Sequence, residues 1–131
     1  KIEAQAVEAA RTDQIARDKI SSNAELARAK SQTQIQTKTI TLTKEIPVYV
    51  TAAQDRSTCI TYGILRVYND AVGQADAIPV PAGKSYDACS PVKTSDLARG
   101  IAENFGSAND NADQLNKLED WVHAQIYQNG K

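Results

Sequence analysis

The side chains that could carry chemistry in this chain are few: Cys59, Cys89 and the single histidine, His123. A cysteine beside a histidine can act as an activated nucleophile, but only when a third group orients the pair. His123 follows Trp121 and Val122 in a stretch of helical pattern, and nothing near it in sequence would aim it at either thiol. A structural zinc site needs four ligands, usually in closely spaced pairs. Two cysteines and one histidine at 59, 89 and 123 supply neither the number nor the spacing. Glu119 and Asp120 are adjacent, so on a helix they point about 100° apart and cannot work as a catalytic pair. The six glycines are scattered and form no phosphate-cradling loop. The residues therefore point to a protein that is not an enzyme and needs no cofactor. What the cysteines do offer is covalent stapling. An even pair thirty residues apart suits one disulfide in an oxidising compartment, the other reading being two separate buried thiols in a reducing one.

The elements that would position these residues are mainly helical. From Ser95 to Tyr127 there is no proline, and Leu97, Ile101, Phe105, Ala108, Ala112, Leu115, Leu118, Val122 and Ile126 recur at spacings of three and four. That is one face of an α-helix roughly 50 Å long, more than a small domain requires. Thr94 or Ser95 is a natural N-cap, with Asp96 in the first turn. Gly100 and Gly106 lie inside the stretch, where they either weaken the helix or admit a close neighbour. The apolar phase is kept across them, which predicts one continuous helix. Before it, residues 73 to 93 contain Pro79, Pro81, Gly83 and Pro91 and read as a long loop carrying Cys89. Ile60, Ile64, Val67 and Ala71 have helical spacing, although Ile60, Tyr62 and Ile64 also alternate as in a strand. Gly73 is a suitable helix stop.

The first third differs in composition. Residues 1–36 are rich in Ala, Glu, Lys, Arg and Gln and predict a helical, coiled-coil-like stalk, supported by charge pairs Glu8 with Arg11, Asp13 with Arg17 and Glu25 with Arg28. Its apolar stripe is weak: Ile2, Ala6, Ala9, Ala16, Ile20 and Ala27 share a face that Val7, Ile15 and Leu26 do not join. It would either pair through small alanine contacts or project as a solvated arm. At Thr37 threonines begin to alternate with Ile40 and Leu42, and Pro47 precedes the β-branched run of Val48, Tyr49 and Val50. Residues 37–58 are therefore expected to be an extended connector, with continuation of the first helix as the competing reading. The third segment, 59–131, is expected to be a small disulfide-linked helical module ending in the long helix.

Composition sets further bounds. The hydrophobic share of 41% overstates the core, because alanine supplies most of it in the first third. The net charge is −1, and no lysine or arginine cluster stands clear of acids, so phosphate-driven nucleic-acid binding is not expected. Methionine is absent and the chain starts at Lys1, which predicts an N-terminal piece removed from the parent protein. No run reaches the eighteen or so apolar residues of a membrane span, so any anchor belongs to that piece.

The second half resembles the periplasmic region of inner-membrane spanins, lysis proteins of tailed phages and prophages. The resemblance rests on the run from Cys59 to Ala71 (CITYGILRVYNDA), the Pro-rich loop ending at Ser90, Pro91 and Val92, Asn104 with Phe105, the run from Asn111 to Leu115, and the run from Leu118 to Val122. These lie in the family's order and follow an Ala/Gln/Lys-rich helical stalk, as they do in the family. One departure is plain: relatives often carry a second cysteine inside the last helix, near the place of Ala108 and Asn109, whereas here it is Cys89 in the loop. An intramolecular Cys59–Cys89 bond is the expectation for this chain, and a bond between chains is the alternative.

The resemblance implies a subunit anchored in the host inner membrane by a single N-terminal transmembrane helix, with this region in the periplasm. It implies a partner, an outer-membrane spanin lipoprotein, with which the subunit bridges the periplasm and disrupts or fuses the outer membrane during host lysis. A homodimer is a further expectation. Leu115, Leu118, Trp121 and Val122 are the residues expected to meet the stalk, a second copy or the partner. The reading from another class is a disulfide-bonded periplasmic or secreted binding or adaptor domain, such as an inhibitor, with an oligomerising stalk.

Overall fold

The structure is a computed structural model that describes residues 2–73 and 78–129. Four helices account for most of the described residues: α1 (Ile2–Tyr49), α2 (Ala52–Ser57), α3 (Tyr62–Ala71) and α4 (Thr94–Asn129). No strand is present among them, only an isolated bridge between Thr61 and Cys89. The protein is thus mainly α-helical, with a long first helix, a long last helix and a Cys59–Cys89 disulfide. The chain forms two compact units. Unit 1 comprises Lys1–Thr37 and Ser107–Lys131; unit 2 comprises Lys38–Gly106.

The expected extended connector over 37–58 is corrected. Helix α1 runs through the threonines to Tyr49, and α2 occupies most of what remains. β-Branched residues lower helix propensity only slightly, so a satisfied hydroxyl and a buried neighbour are enough to keep the helix going. Here the Thr43 hydroxyl donates to the Thr39 carbonyl at 2.8 Å, and Ile46 is buried. Pro47 is tolerated because it falls two residues before the helix end, where it forfeits a single backbone bond. Val50 N–H to the Ile46 carbonyl, 2.7 Å, closes the last turn.

Unit 2 holds every buried side chain among the described residues: Ile46, Ile60, Tyr62 and Leu65, each under a tenth exposed. Helix α2 opens with a capping box, in which the Thr51 hydroxyl accepts from the Gln54 amide and the Gln54 side chain accepts from the Thr51 amide. Helix α3 is capped by the Thr61 hydroxyl, which accepts from Ile64 N–H at 3.1 Å. The competing strand pattern at 60–64 has a structural counterpart of two residues. Ile60 and Thr61 pair with the loop, through Ser90 N–H to the Ile60 carbonyl at 2.8 Å and Tyr62 N–H to the Ala88 carbonyl at 3.1 Å. The helix then begins at Tyr62.

The loop is tied down from three directions. The disulfide joins Cys59 to Cys89, with the Cα atoms 5.5 Å apart. Gly63 N–H donates to the Tyr86 carbonyl at 2.9 Å, and a Cβ at Gly63 would lie 3.3 Å from that oxygen. The Arg66 guanidinium donates to the Tyr86 hydroxyl at 2.8 Å and sits 5.9 Å from the ring centroid. Residues 74–77 of the predicted loop lie outside the described residues.

Helix α4 is continuous from Thr94 to Asn129, so Gly100 and Gly106 introduce no break. It begins at Thr94, itself one of the two expected caps, which places Thr94 and Ser95 in the first turn. The cap comes instead from α2: the Asp55 carboxylate accepts from the Ser95 amide at 2.9 Å and from its hydroxyl at 2.5 Å. The two glycines admit close neighbours. Tyr68 lies over Gly100, its hydroxyl 2.8 Å from where a Cβ would stand, and accepts a hydrogen bond from the Asn104 amide. At Gly106 a Cβ would fall 2.5 Å from Thr39 Oγ1 and 2.9 Å from its methyl.

Candidate interaction surface

In unit 1 the segments of α1 and α4 run antiparallel, as the cross-helix contacts require. Asp13 accepts from Gln128 at 3.0 Å. Arg17 donates to Gln125 at 3.1 Å, and the Gln125 amide reaches back to the Arg17 carbonyl at 3.4 Å. The Trp121 indole N–H donates to the Ser21 hydroxyl at 3.0 Å. Arg28 bridges Asp110 at 2.8 Å and Asp113 at 3.0 Å. Small residues on the same side of α1, Ala16 and Ala24, are half-buried beside these groups. The stalk pairs with α4 through these polar contacts; of the alanine face expected for it, Ala6, Ala9 and Ala27 are exposed and Ala16 is half-buried. Arg28 turns to α4, whereas Asp13 and Arg17 keep their pair at 2.9 Å within α1.

The electrostatics follow from these contacts. The hydrogen bond to Asp110 leads the effects that hold the Arg28 guanidinium more firmly protonated than usual. At Asp113 partial burial pushes the carboxyl upward, but hydrogen bonds from Arg28 and Lys117 outweigh it and leave the group below the ordinary carboxylate value. The hydrogen bond from Arg17, then that from Gln128, lowers Asp13.

Helix α4 meets α1 through its polar side. Asp110, Asp113, Lys117, Gln125 and Gln128 are half-buried, while Leu115 and Leu118 are 56% and 54% exposed. At 3.6 residues per turn the apolar stripe is centred about 130° around the helix from the contacting side. It therefore faces outward. Ile15 and Leu26 do likewise on α1.

Of the four residues expected to meet the stalk, a second copy or a partner, only Trp121 bonds to the stalk. Leu118 and Trp121 edge an open groove together with Ser21, Ala24, Arg28 and Lys117. Leu115 and Val122 are exposed. His123, Glu119 and Asp120 are exposed on the same helix. The cysteines pair within the chain, which removes the intermolecular alternative for this structure.

Sequence reasoning missed Arg28, Asp110 and Asp113 as a cross-helix cluster. The available signal was a second stripe on α4, with acids at 110 and 113 and Lys117 four residues on, opposite the leucines. Arg28 also has an acid at helical spacing within α1, Glu25, which masks its cross-helix partners in the sequence.

Among the described residues no helix is long and apolar enough to cross a membrane. Nor does any group of three or more His, Cys, Asp or Glu stand ready to hold a metal ion. Comparison with protein-family models, curated proteins and solved structures returned no match to this chain.

Proposed function

We propose that this chain is the periplasmic region of a phage inner-membrane spanin subunit, which pairs with an outer-membrane lipoprotein and acts in the last step of host lysis. The observation that carries the reading is the outward apolar stripe of α4, Leu115, Leu118, Val122 and Ile126, on a helix already paired through its other side. An exposed stripe of this length is a surface for another helix or an extended peptide. A disulfide-stapled module suits an oxidising compartment such as the periplasm. A helix of 48 residues suits a part that must span distance. The sequence resemblance over 59–122 supplies the identity of the partner. The work would be done by helix association and rearrangement, with no bond made or broken in a substrate.

The test is lysis from the natural gene context with Leu115→Ser, Leu118→Ser and Val122→Ser combined. The variant should accumulate and keep its disulfide, yet fail to complete lysis or to sediment with the lipoprotein ectodomain. Normal lysis by this variant would sink the reading. The adaptor-domain alternative makes a different demand: a cleavable signal peptide upstream and no neighbouring reading frame for a Pro-rich lipoprotein.

A further inference from the structure

The contacts between α1 and α4 in unit 1 are of a kind that water can replace. Among the described residues of this unit none is buried. The cross-helix contacts are hydrogen bonds and ion pairs between partly solvated groups: Arg28 to Asp110 and Asp113, Trp121 to Ser21, Arg17 with Gln125, and Gln128 to Asp13. On separation each group exchanges a protein partner for water, so its net contribution to pairing is small. Ile15, Leu26, Leu115 and Leu118 are exposed with the helices paired and would stay so with them parted, whereas Ile20 and Ile35 are half-buried and Trp121 is 36% exposed. The apolar surface that parting uncovers is thus confined to a few side chains, none of them fully buried, and the hydrophobic effect opposes separation through those alone.

Each helix also keeps support of its own. Asp13 with Arg17 and Gln14 with Asp18 remain within α1, and Asp113 with Lys117 within α4. Unit 2, by contrast, has the disulfide, the loop bridge and all four buried side chains.

We propose that α1 and the second half of α4 form a reversible clasp, locked by Arg28 between Asp110 and Asp113, that opens while unit 2 stays folded. Opening exposes the seam side of each helix in addition to the outward stripe and leaves the disulfide-bonded unit folded. The inference rests on the polar seam and is independent of the lysis reading.

The single tryptophan gives a site-specific probe, because its indole proton is donated to Ser21 across the seam. In NMR spectra of the full chain under non-reducing conditions, solvent exchange of the Trp121 indole proton is compared with that of the Tyr62, Gly63 and Ser90 amides. Those three amides are bonded within unit 2. Arg28→Ala, or about 0.5 M sodium chloride on the wild type, should speed indole exchange about fivefold and leave the unit 2 amides unchanged. Helix content by circular dichroism should hold. Arg28→Lys, which keeps the charge, should fall between wild type and Arg28→Ala. The proposal is overturned if the indole and the unit 2 amides accelerate together, if neither salt nor Arg28→Ala moves the indole proton, or if helix content falls in step with exchange.

Discussion

In unit 2, Ile46, Ile60, Tyr62 and Leu65 turn inward and a disulfide closes the loop over them. In unit 1, Arg28, Asp110, Asp113, Gln125 and Trp121 turn toward the neighbouring helix, while Ile15, Leu26, Leu115 and Leu118 are exposed. Both arrangements are helical. The first gathers its apolar surface into a small core, and the second leaves that surface uncovered. A helix that presents its polar side to its own chain keeps its strongest adhesive surface for something else.

The largest effect that would sharpen this contrast is removal of the staple. Replacing both Cys59 and Cys89 by alanine should lower stability by roughly 3–4 kcal/mol in the chain-entropy estimate. The loss should show in unit 2 by hydrogen exchange, and an equal loss in unit 1 would break the comparison. Next in size, Leu65→Ala removes a core side chain that is 5% exposed and should cost about 2–4 kcal/mol in denaturant titrations. Gly106→Val would set a branched side chain against Thr39. It should cost about 1–3 kcal/mol by overpacking, with a fall in melting temperature as the readout.

Acid should act on both units in the same direction. Asp55 is held below the ordinary carboxylate value, first by the Ser95 hydroxyl and then by the Ser95 amide; Asp113 and Asp13 are lowered as well. A carboxylate whose pKa is depressed by folding contributes its full stability above the unfolded value and loses it as pH falls through the folded one. Thermal melts from neutrality downward should therefore hold level to about pH 5 and decline below it. Asp55→Asn should shallow that decline.

The smallest effect on stability is expected at the outward stripe. Leu118→Ser should change stability by no more than about 0.5 kcal/mol, as for other exposed sites, while weakening whatever association the stripe supports. A large loss of stability there would mean that the stripe is core after all.

The sequence carried the elements with strong punctuation. Helix α4 was legible because its apolar residues keep phase for eight turns, and α3 because it lies between Cys59 and Gly73. The even number of cysteines favoured a disulfide, while pairing within the chain as against between chains is settled only by the 5.5 Å approach of the two Cα atoms. The extension of α1 through Thr37–Tyr49 was legible only as the competing reading, because threonine, valine and tyrosine prefer extended backbone in isolation. What overrides that preference is the burial of Ile46 and the fit of Thr39 against Gly106, both tertiary. The facing of α4 was not legible. Periodicity identifies a stripe but not which neighbour covers it, and here α1 offers Arg28 and Ser21 where a leucine seam would have been needed.

The Cys59–Cys89 bond has one more consequence. It makes α3 and its loop a covalent ring, so a single backbone cut inside it cannot separate the molecule into two. Lys84 is exposed beside the Gly83 turn within this ring. A trypsin nick there would yield two fragments that travel as one until reductant is added, whereas a nick in α1 or α4 would release a free piece at once.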